Sequence, residues 1–96
     1  MEKYEFMFIL RVDMSDPDRD NALLKLKQEI EKSKGEILKE ESWGKKRLAY
    51  KINGQSEGYY FIWNIALPKD VTSTFKKKLE LSSEVLRGQI LKQSEV

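Results

Sequence analysis

Apolar and polar residues alternate from Lys3 to Val12 with the period of two that marks a strand. Tyr4, Phe6, Phe8 and Leu10 share one face, and Glu5, Met7, Ile9 and Arg11 share the other. The first face is wholly apolar and is expected to meet the core. The second is mixed, and a strand apolar on both faces is usually central in its sheet. Further on the period lengthens. Leu23, Leu26 and Ile30 recur at steps of three and four, which predicts a helix with one apolar stripe. Lys25, Lys27, Glu29, Glu31 and Lys32 cover its outer side. Ser15 or Asp16 is the expected cap, and Pro17 fits the first turn, where a missing N–H costs nothing. Asp16, Asp18 and Asp20 suit the positive end of the helix dipole. The helix is expected to reach Lys34 and stop at Gly35, a residue that accepts a left-handed backbone.

Glu36 to Ile52 reads as strand but exceeds the usual length of about 5–6 residues. A bend or bulge at Gly44 is expected to split it into two arms. In the second arm Leu48, Tyr50 and Ile52 are expected to face the core, with Arg47, Ala49 and Lys51 facing out. Asn53 to Gly58 reads as the turn, and Tyr59 to Leu67 as the next strand. On that strand Phe61, Trp63, Ile65 and Leu67 alternate with Tyr60, Ile62, Asn64 and Ala66. Pro68 ends it, and Asp70 is the expected cap of a second helix with the stripe Val71, Phe75 and Leu79. Ser82-Ser83-Glu84 turns the chain into a last short strand, Val85 to Lys92, followed by a polar tail, Gln93 to Val96. The order β-α-β-β-α-β predicts an α+β, ferredoxin-like domain over residues 1–96. Both crossovers should be right-handed, with two helices on one face of a four-stranded antiparallel sheet. The other face is then bare, and on this phasing carries Lys3, Glu5, Met7, Ile9, Arg47, Lys51, Tyr60, Ile62 and Asn64.

Composition removes whole classes of function. The chain has no cysteine, hence no disulfide framework and no thiolate metal site. It has no histidine, the commonest general base and transition-metal ligand. No cofactor and no metal are expected. Charged residues are 35% and hydrophobic ones 40%, and no apolar run reaches the roughly 20 residues of a membrane helix. Met1-Glu2-Lys3 leads straight into strand pattern, so no signal peptide is expected. The net charge of +2 permits a polyanionic partner without demanding one, so the placement of charge matters more than its sum.

Lys45, Lys46, Arg47 and Lys51 form the densest positive group, uninterrupted by any acid. Alternate side chains of a strand stand about 6.6–7 Å apart on one face, close to the phosphate spacing of a nucleic acid strand. Such a row can follow a backbone, or it can be an edge strand guarded by lysines against aggregation. The residues alone leave both open. On the bare face Met7, Ile9, Tyr60 and Ile62 would form an apolar patch with a basic rim, a pattern of interaction sites. The RNA-recognition signature K/R-G-F/Y-G/A-F-V-x-F/Y is absent, so a protein partner fits this patch better than stacked bases. Lys76-Lys77-Lys78 reads as a solvated helix end. Enzyme signals are weak. Glu40 and Glu41 point to opposite faces of a strand, the turn lacks a P-loop pattern, and a small hydrolase would have only Arg11 and Asn64 to work with.

Lys3-Tyr4-Glu5, the segment Trp43-Gly44-Lys45-Lys46-Arg47-Leu48-Ala49-Tyr50-Lys51-Ile52, and Gly58-Tyr59-Tyr60 resemble the bacterial small-subunit ribosomal protein S-six family. The resemblance covers nearly the whole chain in length and element order. It implies a ferredoxin-like structural constituent of the small ribosomal subunit, cytoplasmic on the ribosome and not an enzyme. It also implies binding to small-subunit ribosomal RNA together with a partner, ribosomal protein S-eighteen. By resemblance, Lys45, Lys46, Arg47 and Lys51 fall on the family's basic segment. Lys3, Arg87 and Lys92 match basic positions on the first and last strands. The alternative is a protein-interaction or regulatory module of the same fold that binds no RNA.

Overall fold

The first strand, β1 (Glu2–Arg11), is paired on both sides, as its apolar faces require. The computed structural model describes residues 2–93. After β1 come α1 (Asp16–Lys32), β2 (Glu36–Ile52), β3 (Gln55–Leu67), a 3-10 turn (Lys69–Val71), α2 (Thr72–Glu80) and β4 (Val85–Lys92). The strands form one antiparallel sheet in the order β2-β3-β1-β4. The fold is ferredoxin-like, with β2 and β4 as the edges. The tail expected from Gln93 onward lies, beyond Gln93, outside the described residues.

One face of the sheet meets both helices. Tyr4, Phe6, Phe8 and Leu10 of β1 join Phe61, Trp63, Ile65 and Leu67 of β3 in one cluster. Ala22, Leu26 and Ile30 of α1 and Phe75 and Leu79 of α2 close it. Phe8 stacks on Phe61 at 5.0 Å between ring centroids and meets Trp63 edge-on at 4.8 Å. Such contacts add about 0.5–1.5 kcal/mol each beyond area burial.

The helix ends correct two sequence expectations. Ser15 caps α1, its Oγ accepting from the Asp18 N–H at 3.2 Å, and Pro17 lies in the first turn. At the far end the left-handed residue is Lys34 (φ 62), and Gly35 is not left-handed. The Gly35 N–H donates to the Ile30 carbonyl and the Lys34 N–H to that of Glu31, the paired bonds of a Schellman end. Gly35 is required for a different reason: a Cβ there would overlap Leu67 Cδ2 and the Ala66 carbonyl. Asp70 does not cap α2. It lies within the 3-10 turn, whose Val71 N–H donates to the Pro68 carbonyl, and no side chain caps the helix.

The hairpin is tighter and longer than the alternation predicts. Its turn is the pair Asn53-Gly54, both with positive φ (49 and 79), flanked by Ile52 opposite Gln55. Asn-Gly fits a two-residue turn of this hand, so β3 begins at Gln55 and the expected six-residue turn does not form. Gly58 sits instead inside β3, opposite Arg11, where a Cβ would overlap Ile9 Cγ2.

Candidate nucleic-acid interface

β2 is an edge strand, and its register against β3 shifts three times. The shifts fall between Ile37 and Lys39, between Ser42 and Gly44, and between Arg47 and Ile52. The second coincides with the bend expected at Gly44, which is left-handed at φ 77. The exposed large apolar residues of β2 are Leu38, Trp43 and Tyr50, one at each shift. Each bulge adds unpaired residues and resets the period of two. This overturns the expected facing of the second arm. Tyr50 is 58% exposed instead of core-facing, and Leu48 is buried but stands outside the aromatic core cluster.

The register settles which face each basic residue takes. Lys46 lies opposite Gly58, itself opposite Arg11, and so shares the helix-free face. Lys45 and Arg47 lie opposite Tyr59 and Glu57, on the other parity, so Arg47 does not join the bare face. Lys51 lies in the last irregular stretch, where alternation assigns no face. All four are exposed, and none forms an ion pair among the described residues. Several lysines elsewhere are paired: Lys27 with Glu40 at 2.9 Å, Lys39 with Glu41 at 3.0 Å, Lys78 with Glu29 at 2.8 Å.

Arg87 of β4 lies opposite Ile9 and reaches the arm, its guanidinium carbon 5.3 Å from the Tyr50 ring centroid. Five of the basic residues singled out in the sequence therefore gather around one end of the sheet. Lys3 and Lys92 do not join them. They belong to the opposite end, where Lys92 pairs with Tyr4 in register and with Glu2 as an ion pair at 3.4 Å. Lys3 and Arg11 mark the two ends of β1, about 27 Å of strand apart.

The four apolar residues expected to meet a partner do come together. Met7 lies opposite Ile62, and Ile9 opposite Tyr60, at the centre of the helix-free face. Ile9 is buried and the other three are half-buried, so Ile9 underlies the patch and the others present it. Trp43 extends this surface and was not legible as part of it. It is 52% exposed, its Nε1 donates to Glu41 Oε2 at 3.3 Å, and Glu41 lies opposite Ile62. Lys46 Nζ stands 5.4 Å from its ring centroid. Lys39 first, and then Trp43, hold the Glu41 carboxyl below its ordinary range. Trp43 and Tyr60 thus flank an aliphatic centre bordered by Lys46 and by Arg87, which lies opposite Ile9.

Arg11 and Asn64 form no joint site. Arg11 is held by Asp13 through two bonds of 2.9 Å, which keep the Asp13 carboxyl low. Asn64 lies opposite Glu5, six positions along β1 from Arg11 and about 20 Å away, and accepts from Gln93 Nε2 at 2.9 Å. No helix among the described residues is long and apolar enough to cross a membrane.

Comparison with known proteins fits this architecture. The profile of a family described as Ribosomal protein S6 matches residues 3–92. A small ribosomal subunit protein bS6 of Alkaliphilus oremlandii is 36% identical over 96% of this chain and 97% of its own. That of Thermoanaerobacter pseudethanolicus is 34% identical over 99% of this chain and 100% of its own. Among solved structures, the crystal structure of 30S ribosomal protein S6 from Thermotoga maritima superposes with a TM-score of 0.89 at 27% identity. It is matched over 96% of this chain and 87% of that one.

Proposed function

The chain belongs to the ribosomal protein S6 family of the small ribosomal subunit, and on that premise we propose that it binds small-subunit ribosomal RNA together with ribosomal protein S-eighteen. The family is one of structural ribosomal proteins, so its work is binding and not catalysis, and its place is the cytoplasmic ribosome. The observation that carries the RNA reading is the free charge of the hairpin arm. Lys45, Lys46, Arg47 and Lys51 are exposed and unpaired among the described residues, with Arg87 beside them. An edge guarded only against aggregation needs bulges and charge, and β2 has both; it does not need so many cations without a single interspersed acid.

Each cation that meets a phosphate releases condensed counterions, so four contacts give a salt slope of about −3 to −4. Lys3 and Lys92 supply a second, weaker contact at the far end of the sheet, Lys92 sharing its charge with Glu2. The patch of Met7, Tyr60 and Ile62, supported by Ile9 and flanked by Trp43, docks the partner protein. The two surfaces adjoin at Lys46, the one arm cation that the register places on the helix-free face beside the patch.

The test is assembly of a central-domain RNA fragment with S-eighteen and this protein. Changing Lys45, Lys46, Arg47 and Lys51 to Ala together should weaken RNA binding and flatten the salt slope by about three. Unchanged binding would sink the basic-arm reading. A wild-type chain that captures S-eighteen but no RNA would favour the protein-only module instead.

A further inference from the structure

The hairpin tip, the end of β1 and the turn from α2 into β4 enclose a notch of about 460 Å³ that the RNA reading above does not use. Asn53 lines it from the tip, Lys76 and Glu80 from α2, Ser83 from the turn, Arg87 from β4 and Arg11 from β1. Its supply of hydrogen-bond donors is unbalanced. Lysine offers three, arginine five, the asparagine amide two and the serine hydroxyl one. Glu80 is the one carboxylate of the lining. The neighbouring Ser82 hydroxyl is already spent on Glu84 at 2.9 Å, and Arg11 is neutralised by Asp13. What remains unpaired among the described residues is Lys76, Arg87, the Asn53 amide and Ser83 together with the Glu80 carboxylate, a set rich in donors and positive by one charge. The group that suits it is an acceptor-only anion. Lys, Arg, Asn and Ser are the side chains that position phosphates in nucleic-acid complexes.

Position narrows the source of that anion. Arg87 lies over Tyr50 of the basic arm, one residue from Lys51, so the notch continues the arm around the end of the sheet. Its volume exceeds a lone phosphate and admits a nucleotide. We propose that the notch holds a backbone phosphate of the RNA strand that leaves the basic arm. The proposal rests on the RNA-binding reading above. It gives Lys76 a role that its neighbour Lys77 lacks, since Lys77 is equally charged on the same helix but does not line the notch. It also gives a use to Asn53, where glycine would make the same left-handed turn.

Two measurements test it. In the first, the free protein is titrated with inorganic phosphate and its backbone amides are followed by NMR. The amides of Asn53, Ser83 and Gly88 should shift, and the Lys76→Ala, Asn53→Gly double variant should lose those shifts. Lys77→Ala should keep them, which guards against a general charge effect. In the second, RNA binding in the presence of S-eighteen is measured against salt. Lys76→Ala should reduce the slope by about 0.7–0.9, one phosphate contact, and Lys77→Ala should leave it unchanged. Equal slopes for the two variants would overturn the proposal, even if phosphate alone binds, because the notch would then hold a free anion and not the RNA chain. Still notch amides beside moving Lys45, Lys46 and Arg47 amides would overturn the notch and spare the arm. A wild-type chain that binds no RNA would overturn both.

Discussion

Ile9 fills the space that a side chain at Gly58 would need. A Cβ built on Gly58 overlaps Ile9 Cγ2, and the pair sits at the root of the hairpin arm. Ile9 is 4% exposed on a face that no helix covers, so this close approach replaces the helix layer there. Gly58→Ala should therefore cost about 1–3 kcal/mol, because the backbone on one side and a β-branched side chain on the other have little room to give. Urea unfolding would show it as a lower midpoint at an unchanged m-value. A midpoint within error of the wild type would mean that the two strands separate freely at this point.

Phe8 is the centre of the aromatic core and predicts the largest single loss. It touches Phe6, Phe61 and Trp63 at centroid distances of 4.6, 5.0 and 4.8 Å and is fully buried. Phe8→Ala removes those contacts and leaves a cavity, at a cost of about 3–5 kcal/mol. A domain of this size has about 5–15 kcal/mol in hand, so the variant should be folded but marginal by thermal melting. Phe8→Leu should recover most of the loss, since it restores much of the volume.

β1 and the aromatic face of β3 were legible in the sequence because both strands keep an unbroken period of two. Tyr4, Phe6, Phe8 and Leu10 all face the core as the alternation requires. β2 defeated the same reasoning for a physical reason. Its three register shifts each reset the parity, so the rule that separated Arg47 and Lys51 from Leu48 and Tyr50 had no fixed phase to work from. The basic arm itself could be found, since charge needs no phase. Its division from Lys3 and Lys92 could not, because the distance between sheet ends appears only once β1 is registered against β3 and β4, and β3 against β2. Trp43 and Tyr50 were missed as surface aromatics because both stand in bulges. Lys34 in place of Gly35 as the left-handed residue shows the same limit: glycine marked the helix end correctly, but it was needed there for packing against Leu67.

The Glu29–Lys78 pair ties α1 to α2 at 2.8 Å and sets a pH dependence. The lysine, by hydrogen bond and charge, holds the Glu29 carboxyl below its ordinary value of 4.5. A carboxyl lowered in the folded state contributes stability that is present above 4.5 and is lost as pH falls through the folded value. Both side chains are substantially exposed, so the contribution is about 0.2–1 kcal/mol at pH 7 and shrinks with salt. Lys78→Ala should be destabilised by that amount at neutral pH and match the wild type at about pH 2. A deficit that persists in acid would assign the loss to packing of the lysine stem and not to its charge.

Trp43 offers the sharpest test of the partner surface, because its structural role is small. It is 52% exposed in a bulge of an edge strand, and its one hydrogen bond goes to an exposed glutamate. Trp43→Ala should change folding stability by no more than about 0.5 kcal/mol, the range of ordinary surface substitutions. At a docked interface the same residue would be desolvated against the partner, beside Ile62 and Tyr60. Tryptophan in that setting is a frequent hot spot, with losses of about 2 kcal/mol or more, roughly thirtyfold in Kd. Titration calorimetry of S-eighteen against wild type and variant measures that ratio directly. Lys77→Ala, on the opposite layer of the molecule, is the control and should bind as the wild type does. If Trp43→Ala also binds with unchanged affinity, the partner does not reach the β2 side of this face, and the docking surface contracts to Met7, Tyr60 and Ile62.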